Sequence, residues 1–299
     1  MKKVYLSDSG PKVSPAIYGF WRWCDEGNNS IKDAEKIINL CLELEINTFD
    51  LADVYGKYQS EDFFGKTMQL KSFKREDIVI FTKCGLNKTD SNKPEYRVKH
   101  YNSSKEHIIK SVDNSLKKLN TDYIDLFLLH HSDPLMDLEE TASALMEIVA
   151  NGKVKHIGIA NFTVHQHQML ASYLPTPIVT HNIELSLLQT GAIDDGRLDF
   201  MKQKFCKPLA FSPLAGGRIN NGTDDKAVKV RRKLEEIGKK YDANIEQTAV
   251  AWLIKLGALP IIGTLNEARI RNAASAFSFE LDRQDWFELY AAASDSGKI

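Results

Sequence analysis

The 299-residue sequence lacks a charge excess, cysteine motifs and long apolar runs, and each absence excludes a class of protein. Lysine and arginine number 39 against 40 aspartates and glutamates, whereas nucleic-acid-binding domains usually carry a basic excess. No stretch approaches the roughly 18 apolar residues of a membrane span, and no apolar run follows the N-terminal lysines as in a signal peptide. The four cysteines are far apart, which is typical of reduced thiols. We therefore expect a cytoplasmic protein with neither a nucleic-acid nor a membrane partner.

Short apolar segments alternate with amphipathic segments along the chain, which predicts repeated βα units. The segments with the composition of buried strands are 17–19, 48–50, 78–83, 124–129, 154–160, 179–183, 209–212 and 259–262. Repeated βα units require a parallel sheet with right-handed crossovers. Because no G-x-G-x-x-G follows the first strand, a closed barrel is favoured over an open doubly wound sheet. We predict a single (β/α)8 (TIM) barrel domain over residues 1–299, with a mobile polar loop at 86–103 over its mouth.

Ionisable side chains stand at the ends of three consecutive predicted strands. Asp50 ends the second strand, Lys83 ends the third, His130 follows the fourth, and Tyr55 lies on the loop after Asp50. Each residue alone is ordinary, but the carboxyl ends of barrel strands form one active-site mouth. A buried lysine or aspartate is costly unless it is paired, and Asp50 with Lys83 supplies such a pair. We therefore predict that these four side chains form a catalytic cluster.

The four residue types are suited to proton transfer to an oxygen atom. A tyrosine pKa near 10 is too high for ready proton donation near neutrality. A cation at about 4 Å in a partly desolvated site contributes on the order of 4 kcal/mol, or roughly 3 pKa units. Lys83 is thus expected to lower the pKa of Tyr55, while Asp50 holds Lys83 and His130 orients a carbonyl. No side chain supplies a hydride, so a nicotinamide cofactor is implied.

Six sequence strings occur in an order that resembles the aldo-keto reductase family. They are FDLADVYG (49–56), FTKCG (81–85), LFLLHHSDP (126–134), GIANF (158–162), AFSPLAGGR (210–218) and IIGTLNEARIRNA (261–273). The likeness is greatest to bacterial oxidoreductases of the YdhF type, and it covers nearly the whole chain. It implies a monomeric carbonyl reductase of small-molecule aldehydes and ketones in which Tyr55 is the general acid. Asp50, Lys83 and His130 complete the tetrad, with His131 as a less favoured substitute for His130.

The resemblance also implies a cofactor-binding surface across the second half of the barrel. Asn161 and Asn182 match residues that bind the nicotinamide carboxamide, Phe211 matches the ring that stacks on it, and Phe20 and Trp21 match its neighbours. The loop over the pyrophosphate is matched by Ser212, Leu214, Gly217 and Arg218. The adenosine end is matched by Thr264, Leu265, Arg269 and Asn272, and Arg269 beside a 2′-phosphate favours NADPH.

Four positions depart from the common family pattern of cofactor contacts. A usual serine is Ala160 here, a usual glutamine is Asn182, a lysine of some relatives is Gly263, and a frequent asparagine is Ala273. The tetrad is intact by contrast. The sequence therefore indicates proton transfer by the tetrad more firmly than it indicates a preference for NADPH over NADH.

Three other functions fit parts of the pattern. A Schiff-base aldolase would use Lys83 as its nucleophile, although Asp50 beside it raises the lysine pKa against that role. A nicotinamide-binding regulatory protein, similar to potassium-channel β subunits, would share the fold, although all four tetrad positions are filled here. A metal hydrolase has only the neighbouring His130, His131 and Asp133 in its favour, without further ligand spacing. We expect no metal site.

Overall fold

Eight parallel strands close into a barrel in the computed structural model of the chain, which describes residues 1–24 and 30–294. Each strand pairs with the next along the chain, and the last pairs with the first, where Ile261 lies beside Ile17. The strands are β1 Ile17–Gly19, β2 Thr48–Asp50, β3 Val79–Cys84, β4 Ile124–Leu129, β5 Val154–Ala160, β6 Ile178–Glu184, β7 Pro208–Phe211 and β8 Leu259–Ile262. The closed order confirms the predicted (β/α)8 barrel, and the bounds differ from the predicted ones only at β3, β6 and β7, by one residue.

A helix follows each barrel strand and covers the outside of the sheet. The barrel helices are α1 Ile31–Glu43, α2 Ser60–Met68, α3 Lys105–Leu119, α4 Leu138–Ala150, α5 Val164–Ala171, α6 Arg197–Gln203, α7 Ile245–Lys255 and α8 Glu267–Ser275. Two further helices, Asp225–Gly238 and Arg283–Ala293, pack against each other and against α7. Shorter helical turns lie at Tyr55–Tyr58, Arg75–Asp77, Gly191–Asp194, Ala215–Gly217, Arg218–Asn221, Lys239–Tyr241 and Ala276–Ser278. Within residues 1–24 and 30–294, no helix has the length and apolar character to cross a bilayer.

An N-terminal hairpin, which the strand pattern does not predict, lies at the end of the barrel opposite the predicted mouth. Its strands are Val4–Tyr5 and Lys12–Val13. Leu6 and Val13 are fully buried and join the apolar interior of the barrel beside Ile17 and Leu209. Because this end is filled with apolar side chains, any ligand must enter from the carboxyl ends of the strands.

The polar segment 86–103 contains ordered structure that corrects the prediction of a mobile loop. Its ends pair as a two-stranded antiparallel sheet, Leu86–Asn87 with His100–Tyr101. Between them, an isolated bridge joins Asp90 to Lys93. The Tyr101 ring lies 5.0 Å from the ring of His131, measured between centroids. This hairpin therefore forms a wall beside the residues that follow β4.

Candidate active site

A buried lysine lies at the centre of the predicted cluster. The Lys83 side chain, on β3, is fully buried, and its Nζ donates to Asp50 Oδ1 at 2.7 Å and to Tyr55 Oη at 3.2 Å. A third hydrogen bond, of 2.8 Å, goes to the Leu51 carbonyl oxygen. An ammonium group has three N–H donors, and here each has an acceptor. The structure thus brings Asp50, Tyr55 and Lys83 within hydrogen-bonding distance of one another.

The turn that carries Tyr55 depends on the glycine that follows it. Gly56 has a φ of +54°, and a Cβ there would lie 2.5 Å from the carbonyl oxygen of Trp23. A side chain at this position would therefore collide with the backbone after β1 as well as strain its own conformation. The close approach fixes the loop after β2 against the loop after β1, and it holds the phenol over the barrel mouth.

Burial has the largest effect on the pKa values of this cluster. It raises the pKa of Tyr55 above its ordinary value, and Lys83 lowers that pKa by less, so the net shift is upward. The sequence expectation that Lys83 brings the phenol pKa into the neutral range is therefore wrong for the protein without ligand. For Lys83 itself, burial lowers the pKa, but Asp50 and Tyr55 together raise it by more, so the net shift is upward. At neutral pH both groups hold their protons.

His130 completes the group as an uncharged imidazole. Its ring stands edge-on to the Tyr55 ring, with centroids 5.8 Å apart. Burial, followed by the positive charge of Lys83, holds its pKa well below the ordinary value. Its Nδ1 is buried and has no hydrogen-bond partner among the described residues. A neutral imidazole carries one N–H donor and one acceptor, so His130 can orient an oxygen atom without itself being an acid at neutral pH.

The neighbouring His131 is placed differently. It is half-buried, and burial and nearby lysines lower its pKa to about 4. Its ring lies against Tyr101, and its Nε2 is 3.4 Å from Asn161 Nδ2. Among the described residues, no hydrogen bond or ring contact joins it to Tyr55 or Lys83, so the geometry favours His130 over His131 as the fourth member.

A groove of about 430 Å³ runs from the barrel mouth between the loops after β7 and β8. Seven of the predicted cofactor residues line it: Trp21, Ser212, Leu214, Gly217, Thr264, Leu265 and Arg269. Gly216 and Gly217 have positive φ values, and no atom lies within 4 Å of where their Cβ atoms would be. Open space over exposed backbone is the property that a phosphate-covering loop requires.

The predicted nicotinamide residues lie at the ends of β5, β6 and β7. Asn161, with a φ of 59°, donates its backbone N–H to the Asn182 carbonyl oxygen at 3.0 Å. Its side-chain Nδ2 donates to the His130 carbonyl oxygen at 3.1 Å. Asn182 is buried, and its Oδ1 has no partner among the described residues. A buried acceptor without a donor is costly, so this atom fits the amide N–H of a nicotinamide carboxamide. Phe211 ends β7 and is partly exposed.

Besides Asn161, Asn182 and Phe211, three further predicted cofactor residues are not part of the groove lining. Phe20 is fully buried and stacks on Trp23 at 5.3 Å, so the structure corrects the expectation that its side chain meets a ligand. The Arg218 guanidinium pairs with Asp224 at 2.9 Å on the surface. Asn272 lies beside an adjoining cleft and donates its Nδ2 to Glu246 Oε2 at 3.3 Å.

Sequence reasoning missed two features of the groove. Glu246, on the first turn of α7, lines it and binds Arg269. The absence of a side chain at Gly263 makes room for Trp21, because a Cβ there would lie 2.3 Å from the indole Nε1. The Arg22 guanidinium stacks over the same indole at 4.3 Å. Neither the acid nor the glycine has a local sequence signal, because each acts through a residue that is distant along the chain.

The described residues contain no group of three or more histidine, cysteine, aspartate or glutamate side chains that could hold a metal ion. The neighbouring His130 and His131 stack on each other, with centroids 5.4 Å apart. The metal-hydrolase hypothesis therefore gains no ligand set within this part of the chain.

Comparison with known proteins agrees with this geometry. The model of the aldo/keto reductase family matches residues 15–293. The 6-dehydroglucose reductase of Agrobacterium fabrum is 39% identical, and the oxidoreductase YdhF of Escherichia coli K12 is 38% identical, each over 98% of both chains. The thermostable aldo-keto reductase Tm1743, solved in complex with the inhibitor epalrestat, superimposes with a TM-score of 0.84 at 26% identity, covering 98% of this chain and 100% of that one.

Proposed function

Because the chain belongs to the aldo/keto reductase family, we propose that it is an NADPH-dependent carbonyl reductase in which Tyr55 is the general acid. It converts aldehydes or ketones to alcohols. The observation that carries the proposal is the fully buried Lys83 ammonium, bonded to both Asp50 and Tyr55 at the open end of the barrel. Burying these groups costs folding free energy, and a role in proton transfer explains why they occur at the barrel mouth despite that cost.

Each tetrad residue has a distinct task in this proposal. When bound, the nicotinamide supplies a hydride to the carbonyl carbon. Tyr55 donates its phenolic proton to the carbonyl oxygen as that oxygen gains negative charge. Lys83 stabilises the phenolate that remains, and Asp50 keeps Lys83 charged and in place. The neutral imidazole of His130 orients the carbonyl oxygen by donating an N–H hydrogen bond to it.

The groove supplies the remaining contacts. Asn161 and Asn182 hold the carboxamide, and the unpartnered Oδ1 of Asn182 supports this assignment. Phe211 would lie beside the nicotinamide ring, and Trp21, which lines the groove, would border both the cofactor and the substrate. The pyrophosphate is assigned to Ser212, Leu214 and Gly217. Arg218 is assigned to it as well, once its guanidinium has left Asp224. The adenosine end is assigned to Thr264, Leu265, Arg269 and Asn272.

The substrate class proposed is a small carbonyl compound, with sugar-derived ketones included among the candidates. The 39% identical relative is named a 6-dehydroglucose reductase, which is a statement about that protein. Tyr101, which packs in the same cluster as Tyr55 and against His131, is an aromatic residue of the kind that packs against apolar or sugar-ring faces. We also propose that the protein is a monomer and is cytoplasmic; the described cysteines form no disulfide, as is usual in a reducing compartment.

The two other cofactor or carbonyl functions receive less support. A Schiff-base lysine must be deprotonated to attack, whereas the net pKa shift of Lys83 is upward. A regulatory protein that only binds nicotinamide does not need the Lys83–Asp50 and Lys83–Tyr55 contacts. Reduction of a carbonyl uses all of them.

Substituting Tyr55 with phenylalanine tests the proposal. Purified protein should oxidise NADPH in the presence of an aldehyde and ketone panel that includes 6-dehydroglucose, and Tyr55→Phe should lower kcat by about 100- to 10,000-fold. NADPH binding, measured by fluorescence titration, should stay within about twofold because Tyr55 protonates the substrate and does not anchor the cofactor. Tyr173→Phe, at an exposed remote tyrosine, is the matched control. Full activity in Tyr55→Phe would refute the assigned role.

A further inference from the structure

A nearly buried carboxylate lies at the end of the groove assigned to adenosine. Glu246, with a side chain only 12% exposed, forms an ion pair with Arg269 Nε at 3.1 Å and accepts from Asn220 Nδ2 at 2.7 Å, both through Oε1. Its Oε2 accepts from Asn272 Nδ2 at 3.3 Å. Three side chains from two elements thus hold Glu246 in one orientation, between the groove and the adjoining cleft. The carboxylate is therefore a fixed part of this pocket.

This ion pair changes what Arg269 offers to a ligand. The Arg269 side chain is 47% exposed, and it is the residue expected to face a 2′-phosphate. Its Nε is committed to Glu246, which leaves the N–H groups of the two Nη atoms for a ligand. A phosphate that binds those groups comes close to the carboxylate and is repelled by it. A ribose hydroxyl carries no charge and is not repelled.

The opposite side of the groove does not supply a compensating cation at position 263. A Cβ at Gly263 would lie 2.3 Å from Trp21 Nε1, so no side chain fits there while Trp21 keeps its place. Among the residues that line the groove, the cations are Arg22 and Arg269, and Glu246 is the carboxylate. The groove lining therefore has a net charge of +1, from two cations and one anion.

We propose that Glu246 sets the cofactor preference at the 2′ position by weakening the binding of a 2′-phosphate and leaving that of a 2′-hydroxyl unchanged. The inference rests on the proposed function, in which this groove holds a nicotinamide dinucleotide. Glu246 acts through Arg269 and through its own charge. Its removal raises the net charge of the lining from +1 to +2.

The test uses two adenosine fragments that lack nicotinamide and differ only in the 2′-phosphate, which are 2′,5′-ADP and 5′-AMP. Isothermal titration calorimetry at low salt gives both dissociation constants for the wild type, Glu246→Gln and Glu246→Ala. Removing a unit charge near a bound phosphate in a partly exposed site should tighten 2′,5′-ADP binding by about tenfold in both variants. Binding of 5′-AMP should change by less than about twofold, since it carries no charged group at the 2′ position.

Glu235→Gln is the matched control. Glu235 is an exposed carboxylate that lines the adjoining cleft, so this variant makes the same change in net charge without touching the Arg269 pair. It should leave both fragment affinities unchanged.

The outcomes separate this inference from the proposed function. If the wild type binds both fragments and both Glu246 variants keep the wild-type ratio of the two affinities, the role of Glu246 is refuted and the cofactor groove stands. If neither fragment binds any of the proteins, both the groove assignment and this inference fail. An equal gain for both fragments, or a gain in Glu235→Gln, also refutes the inference, because it indicates a general charge effect.

Discussion

Removing either partner of the Lys83–Asp50 pair should destabilise the protein far more than removing both. The pair joins a fully buried ammonium to a carboxylate whose side chain is 3% exposed, at 2.7 Å. Breaking a buried pair on one side leaves an uncompensated charge, which costs about 3–5 kcal/mol. In Lys83→Met that charge is Asp50, and in Asp50→Asn it is the ammonium, which keeps Leu51 and Tyr55 as acceptors. Lys83→Met should therefore be the more destabilised variant.

The double variant Asp50→Asn/Lys83→Met separates the pair from the individual side chains. Replacement of both charges by neutral groups of similar size leaves no buried charge, so a coupling energy of at least about 2 kcal/mol is expected. Urea unfolding followed by circular dichroism gives the free energies of unfolding of the wild type, the two single variants and the double variant, which together form a double-mutant cycle. Additive losses, with a coupling below about 0.5 kcal/mol, would refute the view that these two groups form one electrostatic unit.

The same measurement has a predicted pH dependence. Burial raises the pKa of Asp50, and Lys83 opposes that shift, so in Lys83→Met the pKa of this carboxyl should rise further, and below that pKa the folded state holds the proton. The unfolded state releases that proton above about pH 4. Because the folded state then binds more protons, stability falls as the pH rises. The penalty in Lys83→Met should be larger at about pH 8 than at about pH 5.

Two further predictions concern neighbouring positions. Burial and the nearby Glu61 raise the pKa of Asp53 well above its ordinary value, and its buried Oδ1 has no partner among the described residues. Asp53→Asn should therefore increase the free energy of unfolding by at least about 1 kcal/mol at about pH 8, and the gain should vanish near pH 4; a constant gain across that range would contradict the ionisation argument. A Cβ at Gly65 on α2 would lie 2.0 Å from the Lys118 carbonyl oxygen. Gly65→Ala should lower the free energy of unfolding by about 3 kcal/mol although alanine favours helices. Gly191→Ala, where no atom lies within 4 Å of the added Cβ, should not lower it. Equal melting temperatures of the two variants would show that α2 and α3 separate easily to admit the methyl group.

The barrel and the grouping of Asp50, Lys83 and His130 could be predicted from the sequence for one physical reason. Buried parallel strands are apolar along their length and change to polar residues where they end, and all eight ends meet at one mouth. The position of a polar residue after an apolar run therefore gives its place in the fold. Asp50 ends β2 in the structure, Lys83 is one residue from the end of β3, and His130 follows β4 directly.

Side-chain direction and the magnitude of burial could not be predicted in this way. Phe20 directly follows β1, yet its ring points into the core and packs on Trp23. The net effect on the Tyr55 pKa depends on how completely the phenol is desolvated, which sequence spacing does not contain. The N-terminal hairpin was missed because its strands, Val4–Tyr5 and Lys12–Val13, have two residues each and show no periodicity.

The two cations of the proposed mechanism, Lys83 and Arg269, differ in how visible their partners are. Asp50 precedes Lys83 by one βα unit, and adjacent strands place the two side chains together, so the pair is evident from strand order. Glu246 begins α7 and Arg269 lies on α8, and only the packing of these two helices brings the acid to the arginine. An arginine at the expected position therefore establishes that a positive charge is available, but the strength with which it attracts a phosphate depends on an acid that the motif does not include. For this reason the proposal makes the choice between NADPH and NADH depend on Glu246 together with Arg269.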